Sequence, residues 1–323
     1  MHRIIELLKN SDHLLITSHD NLDGDAVGSL LAMGLSMAVL DKRIVLYSET
    51  TIPAVYRFLP YVGCIVNTIS DAHVFDMAVV LDCSDLNRVG SWLRTSPYSP
   101  QIINIDHHVT NTRFGDYQLI DTTACATSEI VYRIIKEMGI PIDKGIAASI
   151  YTGILTDTGS FRFSNTTQAA FAICEEMVRL GVNPYEVAQH VYGTYSLGRI
   201  KLLLRALDSI EISKNGKMSI MALTQAMLDE TETKSEDVDG LINYARSIKD
   251  IKMAALIQET ANGVLPGSAF KEFHVSLRSN GLVDVAQIAT SFGGGGHPNA
   301  AGFTIKSKIF DLKSQLFALA KNL

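Results

Sequence analysis

"HLLITSHDNLDGDAVGSLLAMGLSMAVLD", residues 13–41, passes from an apolar run through an acidic loop into a helix rich in small residues. "HLLITS" (13–18) is short, continuous and apolar, the pattern of a buried strand. "DAVGSLLAMGLSMAVLD" (25–41) reads as a helix packed on a sheet. Between them "SHDNLDGDA" (18–26) carries His19, Asp20, Asp23 and Asp25. Negative charge of that density beside a buried strand is costly unless something positive is held there. Gly24 permits a tight backbone between Asp23 and Asp25, with the helix N-terminus just beyond.

The same alternation continues outward. "RIVLYS" (43–48), "DMAVVLDCS" (76–84) and "QIINIDHH" (101–108) are further strands, the last two almost wholly apolar until they end in acids or imidazoles. Such runs suit central parallel strands covered on both faces. "SEIVYRIIKEMG" (128–139) and "DKGIAASIYTGILTDTG" (143–159) read as helices. The fold class expected is therefore α/β: an N-terminal doubly wound, mostly parallel sheet domain over 1–188, then a helical connector over 189–214. A smaller C-terminal α/β domain follows over 215–323. Its strands are "KMSIMAL" (217–223), "KMAALIQET" (252–260) and "KEFHVSLRS" (271–279), and "GVLPG" (263–267) is a turn. A helix, "VDVAQIATSF" (283–292), leads into "GGGGHPNAAG" (293–302). A length of 323 residues suits two domains.

Composition narrows the class. A hydrophobic content of 47% with 19% charged residues is that of a folded, core-forming chain. A net charge of −6 argues against a long nucleic-acid track while leaving room for a local phosphate pocket. The N-terminal "MHRIIELLKNSDH" reads as an amphipathic helix without a signal-peptide core, and the apolar stretch 30–40 is too short to span a bilayer. Cys64, Cys83, Cys125 and Cys174 form no CxxC pair. Reduced thiols, a cytoplasmic location and no membrane partner are expected.

Chemistry-bearing residues gather at what read as the carboxyl ends of strands: His19, Asp23 and Asp25; Asp82; Asp106, His107 and His108; and Asp157 in "GILTDTGSF". In open α/β sheets the ligand crevice lies at such ends, beside a topological switch point. Each has a plainer reading: Asp23 or Asp25 as a helix cap, Asp82 as a turn former, the histidines as core residues, Asp157 as a loop acid. Four such coincidences at one edge of one sheet are harder to accept than one site. Carboxylates with imidazole and no thiolate suit manganese, magnesium, zinc or iron(II). Two cations about 3.5–4 Å apart would neutralise the cluster and clamp a phosphoryl group. His19 and His107 favour manganese over magnesium.

In the second domain, alternation along "KEFHVSLRS" places Phe273, Val275 and Leu277 on one face, and His274, Ser276 and Arg278 on the other. The run Gly293 to Gly296 would let backbone N–H groups approach an anion, with His297 as a further donor. It is not a P-loop, because the GK[ST] ending is missing.

Together these segments resemble the DHH phosphoesterase superfamily, whose Asp-His-His triplet stands here at 106–108. "SHDNLDGDA", "VVLDCSD", "NIDHH" and "LTDTGSF" are similar to its four motifs, and "GGGGHPNAAG" to the glycine-rich signature of its C-terminal domain. The resemblance implies that His19 and Asp23 hold one metal, that Asp25, His107 and Asp157 hold the other, and that Asp82 bridges them. It implies that Asp106 orients an imidazole and that His108 faces the substrate phosphate or leaving oxygen. Arg278, Gly294, Gly295, Gly296 and His297 would bind substrate across a cleft. Asp20 has no place in the pattern. Length and the "GSFRFSNTT" extension look most like the bacterial nano-RNase/pAp-phosphatase branch. That branch implies two divalent cations, manganese first among them, acting on short RNA oligonucleotides and on small nucleotides such as 3′-phosphoadenosine 5′-phosphate (pAp). A homodimer is compatible with it. The rival within the family is a cyclic di-AMP or pApA phosphodiesterase. The rival of another class is a non-catalytic nucleotide-binding regulator.

Overall fold

The computed structural model describes residues 1–70, 74–96, 100–260 and 270–323, so the turn expected at 263–267 lies outside the described residues. The chain divides into two compact units, Met1–Thr194 and Tyr195–Leu323. The division falls inside the segment expected as a connector.

In the first unit the elements are α1 (His2–Asn10), β1 (His13–Thr17), α2 (Gly24–Val39), β2 (Arg43–Tyr47), β3 (Ile65–Val66), β4 (Met77–Leu81), α3 (Ser91–Thr95), β5 (Gln101–Asp106) and β6 (Tyr117–Ile120). Four helices follow: α4 (Thr127–Glu137), α5 (Lys144–Asp157), α6 (Gln168–Arg179) and α7 (Pro184–Tyr192). The six strands lie in the order β3-β2-β1-β4-β5-β6, and every neighbouring pair is parallel. The chain leaves β1 to build β2 and β3 on one side, then returns to lay β4 on the other. The carboxyl ends of β1 and β4 therefore sit side by side at a switch point, where a crevice opens between diverging connections.

Strand composition follows from this placement. Leu14, Ile16, Val79, Leu81, Ile103 and Ile105 face one core, filled from the other side by Leu30 and Leu31 of α2, Ile130 and Ile134 of α4, and Ile150 and Ile154 of α5. Leu15, Ala78 and Val80 face a second, smaller core with Phe75, Trp92 and Leu93. Both faces of the central strands are dry, so their sequences are continuously apolar rather than alternating.

The small residues of α2 answer to α5. A Cβ on Gly28 would stand 2.5 Å from the Ser149 carbonyl oxygen and 3.0 Å from the Gly153 nitrogen, so the two helices meet backbone to backbone. A Cβ on Gly24 would collide with the Thr156 side chain. This close approach brings the end of α5, and with it Asp157, to the start of α2. Asp157 thus ends a helix and not a strand, which corrects one of the four positions assigned from sequence. A helix end reached the crevice because the glycines let α5 lie close enough.

The second unit comprises α8 (Leu197–Asp208), β7 (Glu211–Ile212), β8 (Met218–Leu223), α9 (Gln225–Glu230), α10 (Ile242–Arg246), β9 (Met253–Glu259), β10 (Lys271–Ser279), α11 (Val285–Ser291), β11 (Gly295–His297), β12 (Ala300–Ser307) and α12 (Ile309–Leu319). Its sheet runs β11-β12-β10-β9-β8-β7, with β8 and β9 parallel and the other neighbours antiparallel. Phe273, Val275 and Leu277 pack with Val285, Ala289, Leu312 and Leu316 on one face. Leu202, Met221, Leu256 and Ile242 cover the other. His274, Ser276 and Arg278 point away from the buried face of β10. The glycine run is not an open loop: Gly295–His297 is an edge strand paired with β12. A Cβ on Gly294 would strike the Gly302 carbonyl, and Gly296, at φ +141°, approaches the Ala300 carbonyl. Both glycines are required by packing, whatever else they do.

Candidate metal centre

The crevice at the switch point is built from three strand ends and two helix ends. After β1 the chain continues through His19, whose backbone bridges Val89, and the Asp20 N–H donates to the Arg88 carbonyl at 2.7 Å. Asp23 is the N-cap of α2: its Oδ1 accepts from the N–H groups of Asp25 (3.1 Å) and Ala26 (3.0 Å). The capping reading of Asp23 is thus correct, yet it uses one oxygen only. The other, Oδ2, lies 4.0 Å from His19 Nε2.

Asp82 follows β4 with φ +53°, a left-handed conformation uncommon outside glycine and tolerated best by Asp and Asn. Its N–H still donates to the Ile105 carbonyl at 3.0 Å, so the turn begins on the last rung of the sheet. The carboxylate is 2% exposed and addresses two histidines with different oxygens: Oδ2 is 3.7 Å from His19 Nε2, and Oδ1 is 3.6 Å from His107 Nε2. His107 Nε2 also stands 4.0 Å from Asp25 Oδ2 and 3.7 Å from Asp157 Oδ2. These separations are too long for hydrogen bonds. They suit donors sharing one cation, since two ligand bonds of about 2.1 Å reach at most about 4.2 Å across.

Two triads capable of holding a metal therefore share Asp82: His19, Asp23 and Asp82, and Asp25, Asp82 and His107, with Asp157 beside the second. A third group, Asp82, Asp106 and His108, has a different character. There His108 Nδ1 is hydrogen-bonded to Asp106 Oδ1 at 2.7 Å, and Asn111 Nδ2 donates to Asp106 Oδ2 at 2.6 Å. Asp106 thus orients His108 and is itself oriented.

The electrostatics call for a cation. Burial drives the Asp25 carboxyl well above the usual range, and the charge of Asp82 adds to it. Burial, with Asp82 and Asp23, raises Asp157 to about 6. Burial also works against ionised Asp82, but His19, His108 and His107 outweigh it and hold its carboxyl well below the usual range. Desolvation disfavours a charged His107, yet Asp157, Asp82 and Asp25 raise it to about 9. In effect the acids recruit protons as substitute cations. The donors are two imidazole nitrogens and four carboxylates, a hard-to-borderline set that fits divalent first-row metals or magnesium.

Supporting contacts escaped the sequence reading. His107 Nδ1 bonds the Ala124 carbonyl at 3.2 Å, leaving Nε2 toward the acids. Asp25 accepts from the N–H groups of Thr127 (2.6 Å) and Ser128 (2.9 Å) at the start of α4, and Thr127 Oγ1 donates to Asp82 Oδ1 at 3.0 Å. Asn165 Nδ2 donates to Asp157 Oδ2 at 3.1 Å. A polar "TSE" opening an amphipathic helix, and Asn111 and Asn165 a few residues beyond the third and fourth acidic motifs, were the available signals. His19 differs from His107 in that its Nδ1 is buried with no hydrogen-bond partner among the described residues.

Comparison with known proteins adds the following. Residues 13–154 match the model of the DHH family N-terminal domain, and residues 217–322 that of the DHHA1 domain. The chain is 31% identical to the bifunctional oligoribonuclease and PAP phosphatase NrnA of Thermus thermophilus, over 96% of this chain and 90% of that one. It is 27% identical to the protein of the same description from Bacillus subtilis, over 94% and 93%. An exopolyphosphatase-related protein from Bacteroides fragilis superposes with a TM-score of 0.86 at 26% identity, covering 99% of this chain and 95% of that one. Among the described residues no helix is long and apolar enough to cross a membrane.

Proposed function

The chain belongs to the DHH family, and from that premise we propose that it is a metal-dependent phosphoesterase that hydrolyses very short RNA to mononucleotides and pAp to AMP. The substrates rest on the names carried by the NrnA relatives. The chemistry rests on one observation above all: Asp82 presents one carboxylate oxygen to His19 and the other to His107. In this reading His19 and Asp23 hold one divalent cation, Asp25, His107 and Asp157 hold a second, and Asp82 serves both. Manganese is the ion we assign, because imidazole nitrogen is part of both sets.

A bound cation pair would supply a water-derived nucleophile at neutral pH and offset the charge of the phosphoryl group. The chain's own residues do the rest. Asp106 fixes His108 through Nδ1 and raises its affinity for a proton, after burial has worked the other way. His108 can then present a proton from Nε2 to the leaving oxygen, which lowers the cost of its departure. Arg278 and His297, with the backbone of Gly294, Gly295 and Gly296, are assigned to the phosphate or base of the substrate.

The test is a manganese-dependent assay of 5′-phosphorylated dinucleotides, pAp, cyclic di-AMP, pyrophosphate and a long single strand. Turnover of the dinucleotides and pAp, abolished in Asp82→Ala, is expected. Preference for cyclic di-AMP, or activity that survives Asp82→Ala, contradicts the proposal.

A further inference from the structure

The start of α4 holds two carboxylates that arrive from different parts of the chain. Its N-cap, Ala126, makes no side-chain hydrogen bond to the helix. The oxygens come instead from Asp25, which accepts from the N–H groups of Thr127 and Ser128 at 2.6 and 2.9 Å. The same residue, Thr127, donates its hydroxyl to Asp82 Oδ1 at 3.0 Å and is fully buried. Asp25 lies on α2 and Asp82 after β4, so the first residue of α4 bonds carboxylates from two separate elements. Thr127 also limits rotation of the Asp82 carboxylate. With Oδ1 engaged by the hydroxyl, Oδ2 is directed toward His19 and Oδ1 keeps its remaining lone pair toward His107.

We propose that Thr127 is a positioning residue that sets the orientation of the Asp82 carboxylate, and thereby the coupling between the two cation sites. The inference rests on the two-cation reading above. Hydrogen-bond partners of metal ligands commonly govern affinity as well as activity.

The experiment is manganese binding followed by electron paramagnetic resonance, which counts bound ions and detects a spin-coupled pair independently of turnover. Wild-type protein is compared with Thr127→Val, which removes the hydroxyl at nearly constant shape, and Thr127→Ser, which keeps it. Thr127→Val should lose about 10–100-fold in manganese affinity together with the coupled signal, while Thr127→Ser stays within about threefold of wild type. Unchanged affinity and coupling in Thr127→Val would overturn the proposal. So would an equal loss in both variants, which would mean that packing and not the hydroxyl matters. Should Thr127→Val fail to fold, Thr127→Ala takes its place beside Thr127→Ser: coupling lost in Thr127→Ala alone supports the inference, and coupling retained in Thr127→Ala overturns it. A wild-type protein without any coupled pair would instead contradict the two-cation reading itself.

Discussion

Gly28 of α2 and Gly153 of α5 touch backbone to backbone: a Cβ on Gly28 would lie 3.0 Å from the Gly153 nitrogen and 3.2 Å from its Cα. This contact lets α5 bring Asp157 to the crevice. Replacing Gly28 with Ala inserts a methyl 2.5 Å from the Ser149 carbonyl, so α5 must retreat. A loss of about 1–3 kcal/mol is expected from such overpacking. Thermal unfolding with a manganese titration checks it. A wild-type Tm would show that the helices are not in contact as described.

Gly153 makes a sharper case. A side chain there would overlap Ser128 Oγ and come within 2.7 Å of Asp25 Oδ1. Gly153→Ala should therefore weaken manganese binding more than Gly28→Ala at comparable stability loss. Equilibrium dialysis of the two variants decides, and equal affinities would count against it.

Asn111 acts at one remove from His108. It donates to Asp106 Oδ2, and Asp106 Oδ1 holds His108 Nδ1. Asn111→Ala should lower kcat by about 10–100-fold while leaving manganese content unchanged. Loss of metal in that variant would place Asp106 among the ligands and refute the division of labour.

The four thiols should differ in reactivity. Cys64 is exposed, whereas Cys83, Cys125 and Cys174 are buried. Burial pushes the thiols of Cys83 and Cys174 up to about 12 and Cys125 higher still, so little thiolate exists at neutral pH. A colorimetric disulfide reagent should titrate one thiol per native chain rapidly and the other three only after unfolding. Fast reaction of a second thiol would contradict the packing.

Acid stability has a traceable component. Glu176 of α6 accepts from Tyr132 Oη at 2.5 Å and Lys136 Nζ at 2.9 Å, both on α4. The Tyr132 bond first, and then the Lys136 bond, hold its carboxyl below the usual range. A depressed folded value means stabilisation present above the unfolded value of about 4.3 and lost as pH falls through the folded one. The Tm difference between wild type and Glu176→Gln should be widest near neutrality and close in acid. A gap independent of pH would show that the carboxylate charge plays no part.

The sequence carried the first unit well where burial dictates composition. The runs 13–18, 76–84 and 101–108 became β1, β4 and β5 because strands dry on both faces have few alternatives. The edge strands β3 and β6 were not legible, being two and four residues long. Asp157 does come within 3.7 Å of His107, but from a helix end and not the strand end expected, since periodicity along 143–159 does not reveal how closely glycine lets α5 approach α2. The glycine run at 293–296 was read for its backbone N–H groups and not as a strand; its register with β12 depends on Gly302 and Ala301, and pairing of that kind leaves no local signal. Thr127 and Ser128 carried only a faint signal, for a different reason. Their work is done by backbone N–H groups and one hydroxyl on carboxylates at least 45 residues away.

On the proposed reading one carboxylate, Asp82, serves two cations. Crystals grown with manganese and measured at its absorption edge test it most directly. Two anomalous peaks flanking Asp82 are expected, one beside His19 and Asp23 and the other among Asp25, His107 and Asp157. A single peak, or two peaks that do not share Asp82, would contradict it.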